Sequence, residues 1–243
     1  MFNRLIAILL AFSILTGCNR EENCFSEGLD LCAEGNFPAA ILKFDQAIRE
    51  NPYLKDAYLQ MGLCYDHLNK HDSAINTYNR LLHLYPDNTA GTYYSGVSKY
   101  KLKKYSDAVF YFNKALDSKG GFDVTDTSSI QATLDLYKDH FDTETAEMDI
   151  PSCEILYDRA MANYKSRHYK NARIDFSHCI LQNYNTGTCF YMIGLCRLAT
   201  KDYKYAREAF HRASNCGDSL SLKQLSFLEN ANPGMPSNNR KKA

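Results

Sequence analysis

The chain has 243 residues, with 28 Lys and Arg against 28 Asp and Glu, nine Cys, 18 Tyr and no Trp. Balanced charge without a basic stripe argues against nucleic acid as a partner. No C-x-x-C, H-E-x-x-H, phosphate-binding loop or nucleophile–base pair stands out, so no catalytic residue, metal or cofactor is expected. In chain order, the first element is an apolar run, Leu5 to Leu15, behind a basic start at Arg4 and ahead of the small residues Thr16 and Gly17. That order describes a secretory signal over residues 1–17. The run is too short to cross a membrane, which takes about 20 apolar residues.

From residue 21 a pattern returns every 34 residues. Gly28, Gly62 and Gly96 are each followed twelve residues later by Ala40, Ala74 and Ala108. An aromatic comes next (Phe44, Tyr78, Phe112), then Ala47, Leu81 and Ala115, with Pro52 and Pro86 closing the first two units. The phase resumes with Ala160, Ala172, Phe176 and Cys179, then Gly194, Ala206, Phe210 and Ala213. The units cover 21–54, 55–88, 89–122, 153–186 and 187–220. Within each, apolar residues step by three or four, the period of one helical face, and a polar turn divides the unit into two helices. Small residues mark the crossing of the two axes, and the aromatic fills the space beside it. A lone hairpin cannot bury its apolar face, so the units are expected to stack.

Residues 123–152 interrupt the series. Eight acids (Asp123, Asp126, Asp135, Asp139, Asp142, Glu144, Glu147, Asp149) stand there against Lys138. Ile130, Leu134, Tyr137 and Phe141 keep helical spacing behind a capping box at Ser128 and Gln131. The segment reads as a worn repeat or an acidic insertion. The acids do not match a calcium loop. Leu220, Leu222, Leu225 and Leu228 suggest a helix over 221–231 that covers the end of the stack. Residues 232–243 lack periodicity and read as a disordered tail.

The 34-residue period, with Gly at the eighth position, Ala at the twentieth, an aromatic at the twenty-fourth, Ala at the twenty-seventh and Pro at the thirty-second, resembles the tetratricopeptide repeat. The resemblance implies an all-α fold, a right-handed superhelical solenoid of helical hairpins: three units over 21–122 and two over 153–220. Three departures stand out: Ala160 for glycine, and Gly120 and Asp218 for proline. Leu15-Thr16-Gly17-Cys18 resembles the bacterial lipobox. This implies cleavage before Cys18, acylation of that residue, and a short tether at 18–20. Asn19 after the cysteine suggests the outer membrane by analogy with enteric sorting, on the periplasmic face more than the cell surface.

In the resembled family the first helix of each hairpin lines an inner face that holds a partner's peptide or helix. The matching residues are Phe25, Leu29, Leu59, Leu63, Tyr93, Val97, Tyr100, Tyr157, Met161, Tyr164, Tyr191 and Leu195. Position nine is apolar in all five units (Leu29, Leu63, Val97, Met161, Leu195), which suits an apolar or amphipathic segment. Tighter packing between neighbouring first helices explains the same residues. Cys64, Cys179 and Cys196 sit at alanine-like positions and read as small buried hydrophobes. Cys189 and Cys216, near the start of one helix and the end of its partner, are the disulfide candidates in an oxidising envelope. The sequence thus points to a lipid-anchored scaffold that binds protein in its groove and meets the membrane through its lipid. The alternative is a structural spacer acting through its end faces.

Overall fold

The computed structural model of the protein describes residues 23–119 and 150–231. The signal, Cys18, residues 123–149 of the acidic interruption and the tail at 232–243 lie outside them. Among the described residues every regular element is a helix. They fall into two units by contact. The first holds α1 (23–33), α2 (Phe37–Glu50), α3 (Lys55–His67), α4 (His71–Leu84), α5 (Thr89–Lys101) and α6 (Tyr105–Ser118). The second holds α7 (Ser152–Lys165), α8 (Tyr169–Leu181), α9 (Thr186–Ala199), α10 (Tyr203–Asn215) and α11 (Leu220–Ala231). In each unit consecutive helices pack on one another as a row of antiparallel hairpins.

The hairpin turns obey one backbone rule. Gly35, Asn69, Lys103, Arg167 and Lys201 all occupy the fifteenth position of their repeats, with φ of +76, +58, +61, +66 and +61°. The next residue's N–H reaches back to the carbonyl five residues earlier, as from Asn36 to Leu31 (2.8 Å), Lys70 to Tyr65 (2.9 Å) and Asp202 to Arg197 (2.9 Å). This left-handed closure satisfies carbonyls that the helix end would otherwise leave bare. Only Gly35 enters that region freely; a side-chain-bearing residue there costs about 1–2 kcal/mol. Where proline is missing at the ends of the later hairpins, Asn183 (+54°) and Gly217 (+87°) turn the chain instead. The Asp218 carboxylate accepts the Ser221 N–H at 2.7 Å and so starts α11.

The core follows the repeat. Ala40, Ala74, Ala108, Ala172 and Ala206 are fully buried, as are Phe44, Tyr78, Phe112, Phe176 and Phe210. In the hairpins that carry the glycine, the ring lies over that small residue of the preceding helix: a Cβ built on Gly28 or Gly96 would come within 2.5 or 2.8 Å of the Phe44 or Phe112 ring. In the fourth hairpin Ala160 stands at the glycine position, and both it and Phe176 are fully buried. The end helix differs from the leucine pattern read in sequence. Ser221, Leu225 and Leu228 form its buried stripe, while Leu220 and Leu222 face solvent. Helical spacing of three and four from Ser221 selects that stripe and leaves both earlier leucines off it.

Candidate functional site

The first helices α1, α3 and α5 carry the candidate inner face of the first unit. The residues proposed for it divide by position. At the fifth position, Leu59 and Tyr93 are buried (5% and 3% exposed) rather than open to a partner. Tyr93 packs against the rings of Phe112 (5.8 Å) and Tyr94 (5.1 Å), and Phe25 packs on Phe44 at 5.7 Å. Phe25 and Tyr93 thus lie against the aromatic of their own hairpin. The ninth position is different: Leu29 is 39% exposed, and Leu63 and Val97 are half-buried. Tyr100 is half-buried too, with its ring 5.4 Å from Tyr105.

In the second unit Tyr191 and Leu195 are half-buried and pack against the cluster of Ala206, Phe210, Leu225 and Leu228, which α10 and α11 supply together. Tyr157 is wedged between Phe176 and Tyr184, at 5.8 Å from each, and burial pushes its phenol up to about 12. Met161 and Tyr164 remain half-buried on α7. Burial raises the Tyr164 phenol as well.

Of the cysteine pair read from sequence, Cys189 is fully buried and Cys216 is exposed. The Cys189 thiol points inward, towards the Tyr184 carbonyl (3.5 Å) and Cys179. It is Gly187, two residues earlier, that faces Cys216: a Cβ there would sit 3.3 Å from the Cys216 Cβ. Two residues turn a helix by roughly 200°, enough to put Cys189 on the opposite side.

Three polar or concave features escaped sequence reading. Asp66, buried at the end of α3, accepts from the Ser98 hydroxyl (2.6 Å) and the Tyr78 hydroxyl (3.3 Å), and pairs with His71 Nδ1 (2.7 Å). Serine, aspartate and histidine thus meet, but the carboxylate lies between the other two. A hydrolase triad puts the imidazole in that place, so this arrangement cannot pass the serine proton to the histidine. It ties α3 to α4 and α5. In the second unit the Arg159 guanidinium grips Asp175 through Nε (3.0 Å) and a terminal nitrogen (2.7 Å), with both residues buried. Burial pushes the Asp175 carboxyl up, while Arg159 opposes that shift.

The third feature is a cleft of about 430 Å³ between α8, α9 and α10, lined by Leu181, Phe190, Ile193 and Tyr205 with Arg197 and Arg212. Arg212 stacks over Phe190 (5.7 Å) and pairs with Glu208 (2.7 Å). Arg197 stacks over Tyr205 (5.1 Å) and pairs with Asp202 (2.7 Å), and its buried Nε has no hydrogen-bond partner among the described residues. The spacing of Arg197 and Arg212 looks unremarkable along the chain, because three helices must come together before the cleft exists. Among the described residues no group of His, Cys, Asp and Glu converges to hold a metal ion. No described helix is long and apolar enough to cross a membrane.

Hairpins packed around a small residue and an aromatic every 34 residues define a repeat class. Residues 31–92 and, overlapping them, 67–121 match models described as the tetratricopeptide repeat, so the first unit carries tetratricopeptide repeats. A segment of 97 residues is 30% identical to the outer membrane protein assembly factor BamD of Xylella fastidiosa, covering 34% of this chain and 33% of that protein. The match thus spans about a third of the relative's length. Among solved structures, the chain resembles YrrB, described as a TPR protein with an unusual peptide-binding site (TM-score 0.65, 16% identity, 89% of this chain and 98% of that one). It also resembles MamA of Desulfovibrio magneticus RS-1 (TM-score 0.63, 13% identity, 81% and 94%). At these identities the likeness is one of fold.

Proposed function

We propose that the chain is an interaction scaffold of the bacterial cell envelope. It is tethered through acylated Cys18 to the outer membrane, facing the periplasm, and takes a peptide or helix of a partner protein on its inner face. The observation that carries the reading is the row of Leu29, Leu63 and Val97: three apolar side chains on successive first helices, none fully buried. Apolar groups repeated at that interval on a preformed face suit the i, i+4 anchors of an amphipathic segment. Such a face needs little ordering of the receptor on binding. The cleft of the second unit offers a further apolar surface for a protein segment. Its likeness to an outer membrane assembly factor favours an accessory role in an envelope assembly or secretion machine.

The test is photo-crosslinking from position 63 or 97 in intact cells, with mass-spectrometric identification of the partner, compared with the double variant Leu63→Glu, Val97→Glu. Charges on this face should abolish the cross-linked protein while circular dichroism stays helical. An unchanged partner on a folded variant refutes the inner-face assignment.

The spacer reading also has an observation in its favour. Leu220 and Phe227, seven residues apart and so on one side of α11, are 51% and 60% exposed. An end face of this kind would join two copies. Sedimentation of the detergent-solubilised chain separates the readings: a monomer disfavours the spacer, and a dimer dissociated by Phe227→Asp favours it.

A further inference from the structure

Two thiols lie together where neither the repeat pattern nor the docking row requires them. Cys32 is at the twelfth position of the first hairpin, in the last turn of α1, and Cys64 is at the tenth position of the second, on α3. Their Sγ atoms stand 3.1 Å apart, nearer than two sulfurs come by packing alone. The equivalent twelfth positions of the next two hairpins hold Asp66 and Tyr100, so the pairing is particular to this junction.

The two sulfurs differ in access. Cys64 is 1% exposed, whereas Cys32 is half-buried and open on one side. An incoming disulfide can therefore be reached by the Cys32 sulfur alone. The fully buried thiols lack this opening, and Cys153, half-buried like Cys32, meets Cys179 through its backbone carbonyl, which accepts from the Cys179 thiol at 3.5 Å. Cys179 and Cys189 adjoin one another but are both fully buried, and Cys24 and Cys196 are buried as well. Cys216 is exposed, and Gly187 rather than another thiol faces it.

We propose that Cys32 and Cys64 are joined by a disulfide that clips α1 to α3, formed by exchange with the disulfide of a thiol oxidoreductase or of a small molecule. The Cys32 thiolate attacks one sulfur of the oxidant, forming a mixed disulfide and expelling the oxidant's other sulfur as a thiolate. Cys64, having given up its proton, then attacks the Cys32 sulfur and releases the second oxidant thiolate. Two thiols lose two protons and two electrons in all, and the oxidant's disulfide ends as two thiols. Burial and the neighbouring Cys32 hold the Cys64 thiol well above the ordinary range, which fits its role as the second, internal thiol.

The bond closes a sequence separation of 32 residues and fixes the first described helix to its neighbour. Helices at the ends of hairpin stacks open most readily, having a neighbour on one side only. The clip would hold Leu29 beside Leu63 and so preform that end of the apolar row. The inference concerns the thiols alone and stands whether or not the docking reading does.

The test uses the full chain, purified in detergent, reduced, and then incubated with oxidised glutathione. Remaining thiols are capped with N-ethylmaleimide and the disulfides mapped by mass spectrometry. Trypsin leaves Cys24 and Cys32 on one peptide, so cleavage after Glu27 is added to separate them. A peptide pair linking Cys32 to Cys64 is expected in most of the protein, with a melting temperature raised by roughly 5–10 °C over the reduced chain. Cys32→Ser and Cys64→Ser should each remove that pair and the shift, leaving the other cysteine capped or glutathionylated. The proposal is overturned if Cys32 and Cys64 of the folded chain are both recovered as capped thiols, or if the dominant disulfide joins other cysteines.

Discussion

Gly62→Ala probes the rule on which the hairpins are built. In an exposed helix the change would stabilise, because alanine is favoured over glycine by about 1 kcal/mol. Here the new Cβ would lie 2.7 Å from Cδ1 of Tyr78 and nearer still to Cε1. The Tyr78 ring is fully buried and cannot swing into solvent. Its hydroxyl is also tethered to Asp66 at 3.3 Å, so a shifted ring gives up a buried hydrogen bond. Overpacking costs about 1–3 kcal/mol, and a hydrogen bond to a charged group is worth about 1.5–3 kcal/mol. Set against the helix gain, a net loss of about 1.5–5 kcal/mol is expected. Urea unfolding followed by far-ultraviolet circular dichroism should read this as a midpoint lowered by about 1 M or more. Gly96→Ala is the control, since its Cβ would meet Phe112 at 2.8 Å and that ring has no hydroxyl to lose. Gly96→Ala should cost less, and adding Tyr78→Phe to Gly62→Ala should cost less than the two changes taken singly. A Gly62→Ala protein as stable as the parent, or a Gly96→Ala protein equally damaged, would refute this account of the tether.

Two further predictions concern the second unit. Arg159→Met strands the buried Asp175 carboxylate and should cost about 3–5 kcal/mol by urea unfolding, with much of the loss recovered in Arg159→Met, Asp175→Leu. The His178 imidazole, which lies near Asp175 and Arg159, is held by burial below its ordinary value of 6.5. Below that value the unfolded chain takes up the proton first, so stability falls as pH drops from about 6.5 through the folded-state value. His178→Gln should flatten that limb in urea midpoints measured from pH 7 to 5; an unchanged slope would refute the assignment.

Much of the hairpin core was legible because it recurs. A buried contact between two helices of fixed crossing demands the same small and aromatic residues every 34 positions. Ala40, Phe44 and Ala47 therefore reappear as Ala74, Tyr78 and Leu81. The departures were visible as well, but not their remedies: Asp218 in place of proline gave no sign that its carboxylate would cap the next helix. The candidate site was less legible. Positions five and nine both read as apolar and inner-facing, yet Leu59 and Tyr93 are buried, Tyr93 against the Phe112 ring of its own hairpin.

The chain's order of residues by itself determines the repeat length, the helical hairpins and the buried alanine and aromatic layers, because those contacts join residues a set distance apart within one unit. Tertiary structure alone decided which apolar side chains stay accessible: Tyr93 is buried against Phe112 and Tyr94, while Val97, four residues on along the same helix, is only half-buried. It alone turned Cys189 inward, brought Cys32 to Cys64 across neighbouring hairpins and assembled the arginine-edged cleft from three helices. Exposure and long-range pairing depend on which surface is stacked against which, and periodicity carries no record of a neighbour that occurs only once.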